Sequence, residues 1–161
     1  MDSVLTLASP AFEDGGVIPA RYTCDGGRTL SPPLAITGVP EGAKSLVLLM
    51  DDPDIPEVFK KARGIEAFDH WVVYNIPADT KEISEGATVG VEGLNSAGKT
   101  GYIGPCPPPE YEPSEHRYVF ALYALSDSLS FDKTPTKQEA LSALAPLRIA
   151  EAKLVGRYSR T

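Results

Sequence analysis

The chain has 161 residues, of which 42% are hydrophobic and 23% are charged, as is usual for one globular domain. Its 22 acidic and 15 basic residues give a net charge of −7, which disfavours nucleic acids and anionic membrane surfaces as long-range partners. No apolar run approaches the roughly 20 residues that cross a bilayer, and the N-terminus lacks the positive charge of a signal peptide. We therefore expect one cytoplasmic domain over residues 1–161, without a transmembrane segment.

Short strands are indicated along most of the chain, because 14 glycines and 15 prolines interrupt it at short intervals. A first strand is predicted in SVLTLASPAF, near the N-terminus. Three further segments are 44–52, 70–77 and 116–125. Each is rich in apolar residues on both faces of the predicted strand, as buried central strands are. These segments predict a sheet with both faces covered by a second sheet or by helices.

Helical periodicity is confined to a few segments. Residues 56–68 place apolar side chains at roughly helical spacing. In TPTKQEALSALAP, Glu139 stands in capping-box position to Thr136, and Pro146 ends the helix. The last segment, residues 147–158, is predicted as a short helix that runs into an extended end. The chain is thus predicted to be strand-rich and antiparallel, with few helices.

The two cysteines, Cys24 and Cys106, are too few for a disulfide framework. Neither has a partner at the spacing of metal ligands. We expect two small buried thiols. A Cys24–Cys106 bridge stays open, because sequence separation does not forbid it.

Polar side chains stand at the ends of the three buried segments. Asp52 and Asp54 close the first, His70 opens the second and His116 opens the third. Because buried strands hold their ends rigidly, these groups would meet at one edge if the strands are neighbours. Each also has an ordinary explanation, since Asp-Pro sequences form turns and a single histidine at a strand end is often structural.

An anion site is the chemistry that this cluster favours. Imidazoles donate N–H groups, and an aspartate beside one of them fixes its tautomer. In GYIGPCPPP, Gly104 would let backbone N–H groups approach an anion, and the prolines that follow would keep the wall rigid. Two histidines and Asp52 also describe an iron or zinc centre. A metal-dependent hydrolase that uses His70, His116 and Asp52 is therefore an alternative, although no usual metal motif occurs.

Five motifs in this order resemble the phosphatidylethanolamine-binding protein family, above all its bacterial and archaeal Raf kinase inhibitor-like branch: YTCDGG…LSPPL, DDPDIP, HWVVYNIP, GYIGPCPPP and HRYVFALYAL. The resemblance implies an antiparallel β-sandwich, with a large central sheet, a smaller sheet and a few short peripheral helices. It also implies a small anion pocket and a cis peptide bond before Pro56. The ligand-binding residues that it implies are Asp52, Asp54, Pro56, His70, Trp71, Gly104, Cys106, Pro107, His116 and Tyr118.

The function that this resemblance implies is non-catalytic binding of a phospholipid headgroup, a phosphorylated ligand or a carboxylate, without a cofactor or a metal. Some members of the family inhibit serine proteases or modulate kinases, so an inhibitor that acts through the proline-rich rim is the alternative. A homodimer stays open. The chain departs from the family pattern at Ile36, where tryptophan is usual, at Cys106, and in the charged segment 57–69 beside the pocket.

Overall fold

The computed structural model describes residues 4–160, which form strands in two antiparallel sheets. The strands are β1 (Thr6–Ala8), β2 (Leu34–Thr37), β3 (Ser45–Asp52), β4 (Phe68–Pro77), β5 (Glu82–Ile83), β6 (Val91–Glu92), β7 (Glu115–Leu125) and β8 (Arg148–Ser159). The large sheet has the order β6-β4-β3-β7-β8, and the small sheet has the order β1-β2-β5. Two α-helices, α1 (Glu57–Arg63) and α2 (Lys137–Leu144), lie outside the sheets.

The large sheet is covered on both faces, as its apolar segments predicted. Along β3, Leu46, Leu48 and Met50 belong to the core shared with the small sheet. Val47 and Leu49 alternate with them and belong to a second core, which includes apolar residues of α2. Because successive side chains of a strand point to opposite faces, a strand that lies between two cores must be apolar at every position. This explains why β3, β4 and β7 could be predicted, and the fold class is confirmed.

The two helices lie near their predicted positions. The Thr136 side chain caps α2 and forms the predicted capping box with Glu139. Helix α1 is shorter than the predicted segment 56–68, because Gly64 ends it in the left-handed conformation, with φ of 65°. None of its residues is buried. None of the helices between residues 4 and 160 is long and apolar enough to cross a membrane.

The C-terminal segment corrects one prediction. Residues 147–158 do not begin as a short helix; a 3-10 turn at Ala145–Leu147 leads directly into β8, which pairs with β7 along its whole length. Ala150, Ala152 and Leu154 alternate toward the core between the sheets. Alanine favours helices in isolation, but pairing with β7 and burial of this alternating face outweigh that propensity. At the other terminus, β1 lies within the predicted first strand, whose Ser3 falls outside the described residues.

Two covalent features also differ from expectation. Cys24 and Cys106 form a disulfide bond with their Cα atoms 5.3 Å apart, so they are not separate buried thiols. The peptide bond before Pro56 is not the cis bond of the described chain; that bond lies between Glu112 and Pro113. Pro56 is instead the residue that leads into α1.

Candidate functional site

The antiparallel order of the large sheet brings the end of β3 beside the beginnings of β4 and β7. A cavity of about 210 Å³ opens at this edge. The residues that line it are Arg28, Asp52, Ile55, Pro56, Phe59, Phe68, His70, Ile103, Gly104, Cys106, Pro107, Pro108, His116 and Tyr118. The two histidines, 46 residues apart in the chain, therefore face one cavity, as the strand ends predicted.

Asp52 and His116 form a buried pair in the wall of this cavity. The Nδ1 atom of His116 lies 2.5 Å from Oδ2 of Asp52, and the two side chains are 1% and 4% exposed, respectively. The other carboxylate oxygen, Oδ1, accepts the backbone N–H of Asp54 at 2.8 Å. Both oxygens of Asp52 are thus engaged by the protein. The carboxylate fixes Nδ1 of His116 as the protonated nitrogen, so Nε2 is the ring atom left for a ligand.

Two polar atoms of the cavity wall are buried without a hydrogen-bond partner among residues 4–160: Nε2 of His116 and the hydroxyl oxygen of Tyr118. Burial raises the pKa of Tyr118, and the nearby Asp52 carboxylate raises it further, by its charge and by attracting the hydroxyl proton. The hydroxyl therefore keeps its proton, and Asp52 and a ligand are the two acceptors within its reach. A buried polar group without a partner is costly, so these two atoms mark the part of the wall where a polar ligand would gain hydrogen bonds.

His70 reaches the cavity because β4 contains a bulge. Met50 pairs with Trp71, but the next residue of β3, Asp51, pairs with Asp69, so His70 is an extra residue in β4. A bulge breaks the alternation of side chains and can redirect one of them. It lets Trp71 enter the core while its neighbour His70 lines the cavity.

The His70 ring is held in place by one hydrogen bond and two aromatic neighbours. Its Nδ1–H donates to the carbonyl oxygen of Ile103 at 2.7 Å, and the rings of Phe68 and Tyr118 lie 4.9 and 5.3 Å away, in edge-on contact. Burial lowers the pKa of His70 below its ordinary value of 6.5, against the opposing effect of the Ile103 hydrogen bond and of nearby carboxylates. The ring is therefore neutral at neutral pH, with a lone pair on Nε2.

Comparisons with known proteins agree with this fold. A family model described as phosphatidylethanolamine-binding protein matches residues 8–159. The chain belongs to the phosphatidylethanolamine-binding protein family. It is 42% identical to a UPF0098 protein of Methanothermobacter thermautotrophicus, covering 97% of this chain and 99% of the relative. It is also 42% identical to a UPF0098 protein of Chlamydia trachomatis, with the same coverage.

Solved structures of this family superpose closely on the chain. A phosphatidylethanolamine-binding protein homologue from Chlamydia trachomatis has a TM-score of 0.89 at 41% identity, covering 99% of this chain and 100% of that one. Escherichia coli YbcL, described as a member of the mammalian family, has a TM-score of 0.83 at 27% identity, covering 98% and 99%. The chain thus lies in the bacterial and archaeal UPF0098 and YbcL-like branch.

Two residues that the family resemblance assigned to the pocket do not line it. Asp54 receives hydrogen bonds from Arg117 instead, through Nε, Nη2 and the backbone N–H, each at 2.8 Å. The side-chain hydrogen bond from Arg117 holds the pKa of Asp54 below its usual range. Trp71 packs edge-on against Tyr102, and its Nε1–H donates to Glu92 at 3.2 Å. Both residues lie next to the strand ends that form the site, but neither lines the cavity.

Gly104 has a different role from the one predicted. Its backbone N–H is not available to an anion, because it donates to the carbonyl oxygen of Arg28 at 2.7 Å. A Cβ atom at this position would stand 2.7 Å from the carbonyl oxygen of Tyr22 and 2.9 Å from Cα of Thr23. Glycine is required because this wall of the cavity packs directly on the backbone of another loop.

Several lining residues were missed by sequence reasoning. They are Arg28, Ile55, Phe59, Phe68 and Ile103, whereas Pro108 is one of the prolines expected in the wall. Ile55 and Ile103 lie within the motifs DDPDIP and GYIGPCPPP and could have been included on that ground. Phe59 and Phe68 lie in the segment 57–69 that was expected to border the pocket. Arg28 carried no local signal, because only the long-range contact between two loops brings it to the cavity.

The geometry also bears on the metal alternative. Within residues 4–160, no group of three or more His, Cys, Asp or Glu side chains is arranged to hold a metal ion. Asp52 directs its carboxylate to His116 and to the Asp54 amide. In this arrangement the carboxylate orients an imidazole. That is the role of a residue that hydrogen-bonds to a metal ligand, and not of a metal ligand itself.

Proposed function

We propose that the chain is a non-catalytic binding protein whose cavity takes one anionic group, a phosphate or a carboxylate. The observation that carries this proposal is the pair of buried atoms without partners, Nε2 of His116 and the hydroxyl of Tyr118, in one cavity wall. An anion has the oxygen acceptors that the Tyr118 hydroxyl needs, and that the Nε2–H of His116 needs when its ring is an imidazolium. Hydrogen bonds to a charged acceptor are about twice as strong as those between neutral groups.

The donors that face the ligand come from side chains. The Tyr118 hydroxyl keeps its proton, because burial raises the pKa of that group. In its imidazolium form, His116 donates Nε2–H to the ligand while its Nδ1–H stays on Asp52. The buried carboxylate then balances the charge of the ring and fixes its direction. His70 adds a second imidazole whose Nε2 accepts a ligand hydroxyl or takes up a proton.

A binding role fits the cavity better than catalysis does. A histidine oriented by an aspartate is the general base of many enzymes that use a nucleophile. No serine, threonine or lysine is among the described residues that line the cavity, and the sulfur of Cys106 is in a disulfide bond. The Asp52–His116 pair therefore acts as an oriented donor.

The size of the cavity sets the size of the group that it takes. Pockets for drug-sized ligands are roughly 300–1,000 Å³, whereas this cavity is about 210 Å³. It accommodates a phosphate with a short substituent and not a whole phospholipid. The name of the family makes a phospholipid headgroup one candidate source of that phosphate.

The test is titration calorimetry with inorganic phosphate on the wild type, on Asp52→Asn and on Asp79→Asn. Asp79 is an exposed carboxylate at the opposite end of β4, so it is a matched control for the loss of one negative charge. Coulomb repulsion alone predicts that Asp52→Asn binds phosphate more tightly. If Asp52 orients His116, that variant binds about 10- to 100-fold more weakly, and Asp79→Asn is unchanged. Undiminished binding by Asp52→Asn, or no binding by the wild type, overturns the proposal.

Proton linkage gives a second readout of the same site. Sulfate is a suitable probe, because it takes up no proton itself near neutral pH. His70 is neutral in the empty cavity, since burial lowers the pKa of its ring. An anion beside it raises that pKa, so we expect sulfate binding at pH 7 to take up protons. Calorimetry in two buffers of different ionisation enthalpy measures the uptake. A result of zero contradicts the role assigned to the imidazoles.

A further inference from the structure

Two loops meet at the mouth of the cavity and are joined at several points. We name them the cysteine loop, residues 23–28, and the proline wall, residues 104–108. The Cys24–Cys106 disulfide bond joins them covalently. The Cys24 N–H donates to the Pro105 carbonyl at 3.0 Å, and the Gly104 N–H donates to the Arg28 carbonyl at 2.7 Å. Both ends of the cysteine loop are thus attached to the wall of the cavity.

The attachment places a cation at the cavity mouth. The Arg28 side chain is exposed and lines the cavity, and its Nη2 lies 3.7 Å from the sulfur of Cys106. Arg117, Arg157 and Arg160 each form an ion pair with a carboxylate. Arg28 forms none within the described part of the chain. Its guanidinium is therefore free to pair with a ligand.

Arg28 is the main source of positive charge for a ligand in this cavity. Asp52 is the one carboxylate that lines the described cavity, and it accepts the Nδ1–H of His116. Arg28 is the one lining residue whose charge does not depend on pH. His116 and Tyr118 are buried and Arg28 is exposed, so a group bound between them would present its outer oxygens to Arg28. A guanidinium at that position gains more from a dianion than from a monoanion.

We propose that Arg28 makes this cavity select phosphate monoesters, which are dianions, over phosphate diesters and carboxylates, and that the Cys24–Cys106 disulfide holds Arg28 in position. The inference rests on the proposed anion-binding function and names the class of ligand. The disulfide contributes by keeping the cysteine loop on the proline wall, so that less conformational entropy is lost when the ligand binds. The entropy lost at this position on binding is then only that of the exposed Arg28 side chain, and not that of the loop backbone.

The experiment compares three ligands that share an alkyl group and differ in the anion: propyl phosphate, methyl propyl phosphate and butyrate. Calorimetry is carried out at pH 8, where the monoester carries two charges, on the wild type, Arg28→Gln and Lys81→Gln. Lys81 is a control for the loss of one positive charge, since it lies in a groove at the opposite end of β4. Thermal unfolding of each variant confirms that the fold is intact.

The expected result is a loss of preference and not only of affinity. The wild type and Lys81→Gln bind propyl phosphate most tightly. In Arg28→Gln, affinity for propyl phosphate falls about tenfold or more, and affinity for the two monoanions falls less. Arg28→Lys keeps the charge without the planar fork and gives an intermediate value. Equal losses for all three ligands, or no loss, overturn the selectivity role of Arg28.

The disulfide is tested by reduction. A dithiol transfers two electrons and two protons to the Cys24–Cys106 bond, which gives two thiols while the dithiol becomes a cyclic disulfide. We expect reduced wild type to lose severalfold in affinity for propyl phosphate. The variant that combines Cys24→Ser and Cys106→Ser starts at the weaker value and does not respond to the dithiol. Identical affinity in oxidised and reduced wild type overturns the positioning role of the disulfide.

Failure of this inference differs from failure of the proposed function. If the wild type binds all three anions and Arg28→Gln binds them equally well, only the role of Arg28 is wrong. If the wild type binds none of them, the anion cavity itself is wrong. Vesicles that contain phosphatidate, a monoester headgroup, identify the source of the ligand. Co-sedimentation that propyl phosphate reverses assigns a lipid, and binding of propyl phosphate without co-sedimentation assigns a soluble ester.

Discussion

The two ends of β3 and β4 carry concave surfaces of opposite character. At one end, the cavity of about 210 Å³ contains buried polar atoms without partners. At the other end, a groove of about 640 Å³ is lined by loop residues such as Val39, Pro40 and Asp79. None of its lining residues is among the described side chains that have a buried, unpaired polar atom. Volume alone would select the groove, whereas the cost of unsatisfied buried polar groups selects the cavity.

The largest expected difference between these ends comes from the disulfide. The combined variant Cys24→Ser, Cys106→Ser should lower the free energy of unfolding by about 2–5 kcal/mol, because the bridge joins residues 82 positions apart. Urea denaturation measures the loss. Hydrogen exchange should speed up at the Gly104 amide, which is bonded across the two loops, more than at the Ile36 amide, which is bonded at the groove end. A variant that stays within 0.5 kcal/mol of the wild type would show that the hydrogen bonds alone hold the loops together (roughly the scatter of surface substitutions).

The buried pair is expected to give the next largest effect. His116→Ala leaves the Asp52 carboxylate buried without its partner, which should lower the free energy of unfolding by about 3 kcal/mol. Adding Asp52→Asn to that variant should restore part of the loss, because the unpaired charge is gone. At the groove end, Asp79→Asn should change stability by less than about 0.5 kcal/mol. Equal losses for His116→Ala and Asp79→Asn in urea denaturation would remove the distinction between the two ends.

The smallest expected effect is a pH dependence that originates at His70. Burial lowers the pKa of His70 in the folded state, while the ring of the unfolded chain titrates near 6.5. Unfolding therefore takes up a proton in acid, and stability falls as pH drops below about 6.5, with a slope approaching about 1.4 kcal/mol per pH unit. The Asp51, Asp52 and Asp69 carboxylates oppose the shift and so reduce the slope.

His70→Gln is the variant that tests this dependence. Glutamine keeps a donor for the Ile103 carbonyl but cannot be protonated. Urea denaturation between pH 7.5 and pH 5 should show a shallower slope for the variant than for the wild type. The Asp54 carboxyl does not interfere, because its pKa is lowered from 3.8 and it titrates in stronger acid. Parallel stability curves would mean that His70 is equally easy to protonate in both states.

Patterns within one segment predicted the central strands and most of the polar cluster. The uninterrupted apolar residues of β3 require a strand with two buried faces, and the polar residues Asp52, His70 and His116 end or begin such strands. The capping box at Thr136 was equally readable, because its partners are three residues apart. The C-terminal segment was misread, since alanine, glutamate and lysine favour a helix. Its alternating inward residues, from Ala150 to Tyr158, were the signal that should have outweighed that propensity.

Contacts between distant segments decided the rest of the site. His70 and Trp71 are neighbours in the chain, yet a bulge that depends on the register with β3 separates their surroundings. Arg28 lines the cavity only because its loop packs on the proline wall. The disulfide bond between these two loops joins residues 82 positions apart. The reason is physical: the periodicity of apolar residues reports burial along a strand, but it contains nothing about which loop will cover the end of that strand. The amino-acid sequence determined the sheet and its polar edge, and tertiary packing determined the mouth of the cavity and its charge.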